Sequence, residues 1–365
     1  MLSPTARIAS FTKGELLEPV THLLTGACLG RAGLNKKTAL ATLTLTLATE
    51  APDVDFVAYL GGSVNGFAHH RGFTHTLLGV PFVAGLTVAA VYGIHRLMKK
   101  RGGKAEQPPN WKLLYVYAVL GGLVHIFQDF TNNYGVRPFA PFNPKWYSWD
   151  IVFILDPIML LSLSTGLILP GVISMVTEEI GEAKRPFRGR GGAITALVCL
   201  GLVIFVRNLE HRRAVNALQS ITYRDRDPKR VSAYPGPLNP FAWDGVVETR
   251  DFFELLPVNS LSGDVDPQNK AVVRYKPEET PATLAAKKSR LGRVYLDWAQ
   301  YPLVETVRRP GGNEYLVQFQ DLRFAAIAEL RRRGTPVLAG YALLDPQLHV
   351  MEESMGEPPL NQGPR

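Results

Sequence analysis

The chain has 365 residues, a hydrophobic fraction of 46% and a formal net charge of +8. Its two cysteines, Cys28 and Cys199, both lie inside apolar segments, which excludes a disulfide framework and a cysteine-rich zinc site. The positive charge is concentrated in short loops between apolar runs and is not interleaved with aromatic residues. This pattern indicates membrane topology and argues against nucleic-acid binding.

The composition changes near residue 208. Before it, long apolar runs alternate with short polar loops, whereas the remainder is charged, proline-rich and free of runs of membrane length. The first residues lack the apolar core and cleavage site of a signal peptide, so the first spans are expected to direct insertion. We predict an N-terminal tail (1–15), an α-helical membrane domain (16–208) and a small β-rich soluble domain (209–365) with a disordered C-terminal tail.

The membrane domain contains four clear candidate transmembrane helices and two shorter candidates. The shorter segments, 20–29 and 39–48, have only about ten apolar residues each, against roughly 18 for a full span. They are expected to cross as a helical hairpin or to lie partly in the interface. In the third clear span, Asp156 and Pro157 mark a helix start as N-cap and first helical residue. The four clear spans are 76–97, 111–128, 156–176 and 193–206.

The soluble domain alternates apolar and polar residues in segments bounded by glycine and proline, which predicts strands. These segments are "KAVVRYKP" (270–277), "GGNEYLVQFQDLRF" (311–324) and "TPVLAGYALLDP" (335–346). The proline-rich "YPGPLNPFAW" (234–243) is expected to be an irregular lead-in to them.

Lysine and arginine set the predicted orientation. Loops 31–37, 96–104 and 177–192 carry twelve of them, whereas the alternating loops carry only Arg71, Arg137 and Lys145. By the positive-inside rule the first set is cytoplasmic. With six crossings, the soluble domain then lies on the extracytoplasmic side. The segment "RNLEHRR" (207–213) conflicts with this rule, because it places three arginines on that side.

Most histidines and several aspartates fall at the span ends that face the same extracytoplasmic side. Ionisable residues are costly at membrane depth and usually serve a functional site. The residues concerned are His22, Asp53, Asp55, His69, His70, His75, His125, Asp129 and Asp150.

Their spacing favours a metal site. His125 and Asp129 are four residues apart on a helix and project from one face, while Gly72 lets the chain bring His70 and His75 together. Imidazole and carboxylate without thiolate suit a divalent ion in a hydrolytic site, zinc first, with manganese and iron as alternatives. Each pattern alone occurs by chance, so the prediction rests on their convergence. Three other histidines, His95, His211 and His349, are interpreted as incidental.

Five motifs together resemble the family of membrane-bound, metal-dependent hydrolases, whose best-known bacterial member is an inner-membrane protein under LexA control. That family is similar in its histidine–aspartate pattern to zinc-dependent phospholipase C. The resemblance covers 18–157 and is specific only as an ordered set. The motifs are "EPVTHLLTGACLGRAGL", "APDVDF", "HHRGFTHTLLG", "HIFQDFTNNYGVRPFAPF" and "WDIVFILDP".

The resemblance implies metal-ligand roles for His22, Asp53, His70, His75, His125 and Asp129, with His69 beside them as a further candidate ligand. It implies catalytic roles for Asp55 and Asp150, and it places Arg71 where its guanidinium can bind a phosphate. Gln128 departs from the pattern, because the family generally has an apolar residue there. The residues "N-x-Y-G" at 132–135 match the family.

The favoured interpretation is a multi-pass inner-membrane enzyme that hydrolyses a phosphoester, of a lipid or a lipid-linked molecule, at the outer membrane face. The alternative is a scaffold or binding protein in which a structural metal site ties helix ends together. A metal transporter is disfavoured, since the ligands cluster at one face and do not line a path through the midplane. An open coordination position would separate enzyme from scaffold.

Overall fold

The computed structural model describes residues 18–100, 108–179, 189–267, 270–308, 313–325 and 337–356. The predicted N-terminal tail and the predicted disordered C-terminal tail, from 357 onward, lie outside these residues. So do the loop lysines and arginines of 101–107 and 180–188 that contributed to the orientation argument.

The N-terminal half is helical, as predicted, and its described part contains seven α-helices. Between them run short 3-10 helices, Leu34–Lys36 and Phe73–His75, and one long 3-10 helix, Ala51–Gly61. The α-helices are α1 (Glu18–Arg31), α2 (Ala41–Ala48), α3 (Ser63–His69), α4 (Val80–Lys100), α5 (Trp111–Thr131), α6 (Pro157–Glu179) and α7 (Arg190–Gln219).

Three helices in the described part are long and apolar enough to cross a membrane: Val80–Lys99, Trp111–Thr131 and Arg190–Gln219. A fourth, α6, has a shorter apolar stretch, Pro157–Ile173, which begins as predicted with Asp156 Oδ1 accepting hydrogen bonds from the first-turn amides. At 1.5 Å per residue, the described parts of α1 and α2 extend about 21 Å and 12 Å, in keeping with the two shorter candidates. The four clear candidate spans are thus all helices, and α6 has 23 residues in total.

The short helices α1 and α2 form a tight hairpin. A Cβ atom built on Gly26 would lie 2.5 Å from Leu45 O, and one on Gly30 would lie 2.6 Å from Thr42 Cα. Glycine at both positions, four residues apart, is therefore required for the two backbones to approach. The hairpin carries His22 at one end and the basic loop 31–37 at the other.

Helix α7 has 30 residues, about 45 Å, and extends well beyond a bilayer about 30 Å thick. Its last turns pack Ala214 and Leu218 against Trp243 and Leu256 of the β region. The predicted domain boundary at 208/209 thus falls inside one continuous helix. "RNLEHRR" belongs to this helix, where buried Arg207 donates a 2.7 Å hydrogen bond to Asp156.

The C-terminal region consists of two antiparallel sheets, which confirms the β-rich prediction. One sheet has the order β1-β2-β3-β4 with β5 paired to β3, and the other has the order β6-β7-β8-β9. The strands are β1 (Arg230–Pro235), β2 (Ala242–Glu248), β3 (Phe252–Asn259), β4 (Asp264–Val265), β5 (Val272–Tyr275), β6 (Pro302–Arg308), β7 (Tyr315–Asp321), β8 (Gly340–Leu344) and β9 (Val350–Met355).

Two features of this region differ from expectation. The proline-rich stretch is a turn between β1 and β2, with both its ends in strands. Two helices that the sequence did not predict, α8 (Pro281–Lys288) and α9 (Arg290–Trp298), pack beside the second sheet.

The β region shares a hydrophobic core with the membrane domain. Phe67 and Tyr134, both from loops and short helices near the predicted ligands, lie in the same buried cluster as Tyr295, Trp298 and Phe319. The β region therefore rests directly on the end of the helical bundle that carries the candidate site.

Candidate metal centre

The predicted metal ligands other than His69, together with the predicted catalytic residue Asp55, come from four separate parts of the helical domain and converge at one end of it. Helix α1 contributes His22, and the long 3-10 helix contributes Asp53 and Asp55. The link between α3 and α4 contributes His70 and His75, and α5 contributes His125 and Asp129.

Four ligand atoms form the middle of the site. The Nε2 atoms of His75 and His125 are 3.0 Å apart. Asp53 Oδ1 lies 3.3 Å from the first and 3.6 Å from the second. Asp129 Oδ2 lies 3.4 Å and 3.3 Å from the same two nitrogens. We call these four residues the central cage.

The dimensions of the central cage fit a small divalent ion. Zinc lies about 2.0–2.1 Å from nitrogen and oxygen ligands, so two ligands at the tetrahedral angle are roughly 3.3–3.4 Å apart. The His75 and His125 nitrogens lie 3.3–3.6 Å from the carboxylate oxygens and 3.0 Å from each other. These nitrogen–oxygen distances suit ligands of a divalent ion, and Asp53, His75 and His125 have all their ligand atoms within 4.8 Å of one another.

Further candidate ligands flank the central cage on both sides. His22 Nε2 lies 3.3 Å from Asp129 Oδ1, and His70 Nδ1 lies 3.3 Å from Asp55 Oδ1. Since His125 and Asp53 each belong to two of the groupings, the geometry also suits two neighbouring ions that share ligands. The groupings with ligand atoms within 4.8 Å are His22, His125, Asp129; Asp53, His75, His125; and Asp53, Asp55, His70.

Hydrogen bonds at the outer ring nitrogens orient the imidazoles. The Nδ1 atom of His125 lies 2.7 Å from Thr49 O, and that of His75 lies 3.1 Å from Asp55 Oδ2. His22 Nδ1 lies 3.2 Å from Gln128 Oε1. With the proton on each Nδ1, these oxygens would accept a hydrogen bond and each Nε2 would present its lone pair inward, as a metal ligand requires.

Gln128 thus serves the site directly, which the sequence did not reveal. Its carbonyl oxygen faces His22, while its amide nitrogen donates to Thr25 Oγ1 over 3.1 Å. Its two neighbours lie more than 100 residues away in the chain, so no local pattern could indicate them.

The buried carboxylates of the centre favour the binding of a cation. Both oxygens of Asp129 are buried: Oδ1 lies 3.1 Å from Arg71 Nη2, whereas Oδ2 faces only the imidazole nitrogens of His75 and His125 among the described residues. Burial raises the pKa of Asp55, but hydrogen bonds from His70 and His75 outweigh it and hold that pKa below its usual range. Burial lowers the pKa of His75, but Asp129, Asp53 and Asp55 outweigh burial and raise it. A cation would satisfy these groups.

Arg71 lies behind Asp129. The side chain is buried, its Nη2 atom is 3.1 Å from Asp129 Oδ1, and its Nη1 atom donates to Asn132 Oδ1 and Gly135 O. The guanidinium also lies over the Tyr134 ring, 4.7 Å from its centroid. The "N-x-Y-G" motif thus holds Arg71 against a ligand, and the contact of Arg71 with a phosphate stays a prediction.

Two predicted site residues lie apart from the cluster. His69 is exposed, and its Nδ1 atom is 2.8 Å from Asn65 O. Asp150 faces the β region, where burial raises its pKa to about 6 and nearby Arg323 partly offsets this shift. Neither belongs to the metal-ligand groupings found among the described residues.

A small cavity of about 20 Å³, room for roughly one water molecule, borders one side of the centre. It reaches His22 and Asp129, and its far wall is mainly apolar. Its lining includes Val152, Phe153, Ile154 and Met159 together with Asn132 and Asp156.

Comparisons with known proteins agree with the membrane character of the helical half. The sequence profile of the family described as "YdjM inner membrane protein" matches residues 17–214. An uncharacterised protein of Bacillus subtilis (strain 168), YfhP, is 28% identical over 150 residues, which cover 39% of this chain and 42% of that protein. The chain thus matches less than half the length of this relative. No solved structure matches.

Proposed function

Since the chain belongs to the YdjM inner membrane protein family, we propose a function for the metal centre of an inner-membrane protein. The centre binds one or two divalent ions, zinc first, with manganese and iron as alternatives. It hydrolyses a phosphoester of a lipid or a lipid-linked molecule at the extracytoplasmic face.

This proposal rests on the central cage and on its buried carboxylates, whose negative charge a cation would neutralise. Asp53, His75, His125 and Asp129 would hold the ion, and Thr49, Asp55 and Gln128 would fix the imidazole rings. A bound ion would supply Lewis acidity and lower the pKa of a water molecule, which is the chemistry that phosphoester hydrolysis needs.

Donor type and surroundings support a hydrolytic role. Nitrogen and oxygen ligands without thiolate suit hydrolytic metals. The small cavity beside His22 and Asp129 leaves room for a water molecule next to the centre, and Val152, Phe153 and Met159 give it an apolar wall. The position at the ends of the spanning helices supports a substrate in the membrane.

The second candidate is a scaffold with a structural metal site. It is supported by the way one cluster ties α1, the long 3-10 helix, the α3–α4 link and α5 together. A structural site would use every coordination position for protein ligands, whereas a hydrolytic site keeps one open.

Turnover separates these two functions. The full chain, purified in detergent and loaded with zinc, manganese or iron, would be assayed on a panel of phospholipids and soluble phosphodiesters. We expect hydrolysis that EDTA abolishes and added metal restores, with His349→Ala as an active control. Stoichiometric metal without turnover on any panel member would favour the scaffold.

A further inference from the structure

The segment Ala51–Gly61 is an unusually long 3-10 helix, and its period sorts its side chains into separate stripes. A 3-10 helix has three residues per turn, so side chains three positions apart point the same way. Runs longer than three or four residues are uncommon, whereas this one has 11.

One stripe, formed by Asp53, Phe56 and Tyr59, faces the metal centre and the side chains packed around it. Asp53 lies in the central cage, and the Phe56 ring packs 4.8 Å from the His70 ring. Tyr59, one turn later, stacks on Phe56 and fills the space that the missing side chain of Gly66 leaves.

A second stripe is apolar and exposed. Val54, Val57 and Leu60 are 57%, 62% and 76% exposed. No other helix, loop or strand of the described chain covers them. The segment is therefore amphipathic, with metal ligands on one side and aliphatic side chains on the other.

Exposed apolar side chains also occur on the two neighbouring segments that contact this 3-10 helix, the 3-10 helix Phe73–His75 and the spanning helix α4. Phe73, in the next 3-10 helix, packs 5.9 Å from Phe82 in the first turn of α4, and both rings are exposed. Leu77 and Leu78 between them are also exposed. Because α4 is long and apolar enough to cross the bilayer, this surface is continuous with the lipid-facing surface of the protein.

The charge pattern agrees with lipid contact and disagrees with contact with water. No lysine, arginine, aspartate or glutamate occurs from 56 to 68, or from 72 to 94. A surface bathed in water normally carries charged side chains among its apolar ones.

We propose that the stripe Val54, Val57, Leu60 lies in the boundary between lipid headgroups and acyl chains, as an amphipathic interfacial helix does. The 3-10 helix then fixes the depth of the metal centre in the membrane. Its apolar face lies in the leaflet, and its opposite face holds Asp53 and Asp55 at the level of the headgroup phosphates. This depth favours a phosphate-bearing bilayer lipid as the ligand of the metal centre. The choice of ligand rests on the proposed function.

The depth of the stripe can be measured without reference to catalysis. In a background with Cys28→Ala and Cys199→Ala, a single cysteine replaces Val57 and carries a small fluorophore. Matched controls are Leu86→Cys, 71% exposed on α4, and Ser262→Cys, exposed in the β region. The full chain is reconstituted in vesicles of phosphatidylcholine and phosphatidylglycerol.

Two quenchers report the surroundings of each label: a phospholipid with a nitroxide near the headgroup end of its acyl chain, and aqueous iodide. We expect the Val57 label to resemble the Leu86 label, with strong lipid quenching and several-fold less iodide quenching than at Ser262. Iodide quenching equal to that at Ser262 would overturn the proposal. Protection from both quenchers would also overturn it, because it would indicate a second copy or another protein on the stripe. Neither outcome depends on metal or turnover.

Discussion

At the scale of single residues, hydrogen bonds to the outer ring nitrogens hold the imidazoles of the metal centre in place. His125 is fixed by a backbone carbonyl at Thr49, and His22 is fixed by the side chain of Gln128. Such outer hydrogen bonds set the tautomer and the direction of the lone pair, and their loss typically lowers metal affinity 10- to 100-fold.

Gln128→Leu is therefore expected to weaken metal binding by about 10- to 100-fold, because His22 Nδ1 loses its acceptor. Competition with a chelator of known affinity measures this change. Gln128→Glu, which keeps an acceptor oxygen, is the control and should bind metal more tightly than the leucine variant. Equal affinities for the parent protein and Gln128→Leu would show that the contact between Gln128 and His22 does not support metal binding.

Asp150 predicts a pH effect on stability. Burial holds its folded-state pKa at about 6, above the ordinary value of 3.8. The folded protein therefore binds this proton more tightly than the unfolded chain does, so this group makes the free energy of unfolding fall as the pH rises from about 4 to about 6. Asp150→Asn should raise the melting temperature at pH 7 and change it little at pH 4. Equal effects at the two pH values would contradict this assignment.

At the scale of elements, the loop 132–135 joins the metal centre to the β region. On one side Arg71 donates to Asn132 Oδ1 and Gly135 O. On the other, Arg323 donates to Asn133 O over 2.7 Å and Trp298 Nε1 donates to Tyr134 O over 3.1 Å. The β region thus supports the loop that positions Arg71 behind a ligand.

Trp298→Phe should loosen this loop, because it removes one hydrogen bond worth about 1 kcal/mol and part of the packing around Tyr134. We expect faster amide exchange at 132–135 and a several-fold loss of metal affinity. Trp243→Phe is a matched control, since Trp243 is also buried in the β region but its Nε1 has no hydrogen-bond partner among the residues that the structure describes. The same exchange rates and affinity in both variants would mean that the β region does not support the centre.

At the scale of the whole molecule, the site and the basic loop 31–37 lie at opposite ends of the helical bundle. Arg190 Nε donates to Ala32 O, and Asn110 N donates to Thr38 Oγ1, so the described starts of α5 and α7 meet the loop 31–37. The β region packs on the other end, where Ser63 contacts Ser354. The proposed orientation places the first end in the cytoplasm.

Cysteine labelling in intact cells tests the orientation. In the same cysteine-free background, Ser262→Cys should react with a membrane-impermeant thiol reagent, whereas Lys37→Cys, exposed at the opposite end, should react only after the membrane is opened. The reverse pattern would place the centre and the β region in the cytoplasm.

The sequence predicted which residues form the site better than it predicted the contacts that hold them in place. The spacing of His125 and Asp129, and their position at the same end as Asp53 and His75, could be read directly, because helix period and topology alone bring them together. The contacts of Gln128 and Arg71 could not, since they depend on packing between distant segments. Helix α7 was predicted to end near Val206, because hydropathy drops at Arg207 although the residues beyond it still favour a helix.

Metal content is the most direct test of the centre. The full chain would be purified in detergent, loaded with zinc, manganese or iron, freed of excess ion and measured by elemental mass spectrometry. His125→Ala and Asp129→Ala would be compared with His349→Ala, whose exposed side chain lies in the β region. We expect a stoichiometric amount of metal in the parent and in His349→Ala, and little in the other two, provided that all elute as folded protein. Equal metal in all four proteins, or none in the parent, would contradict a metal centre at these residues.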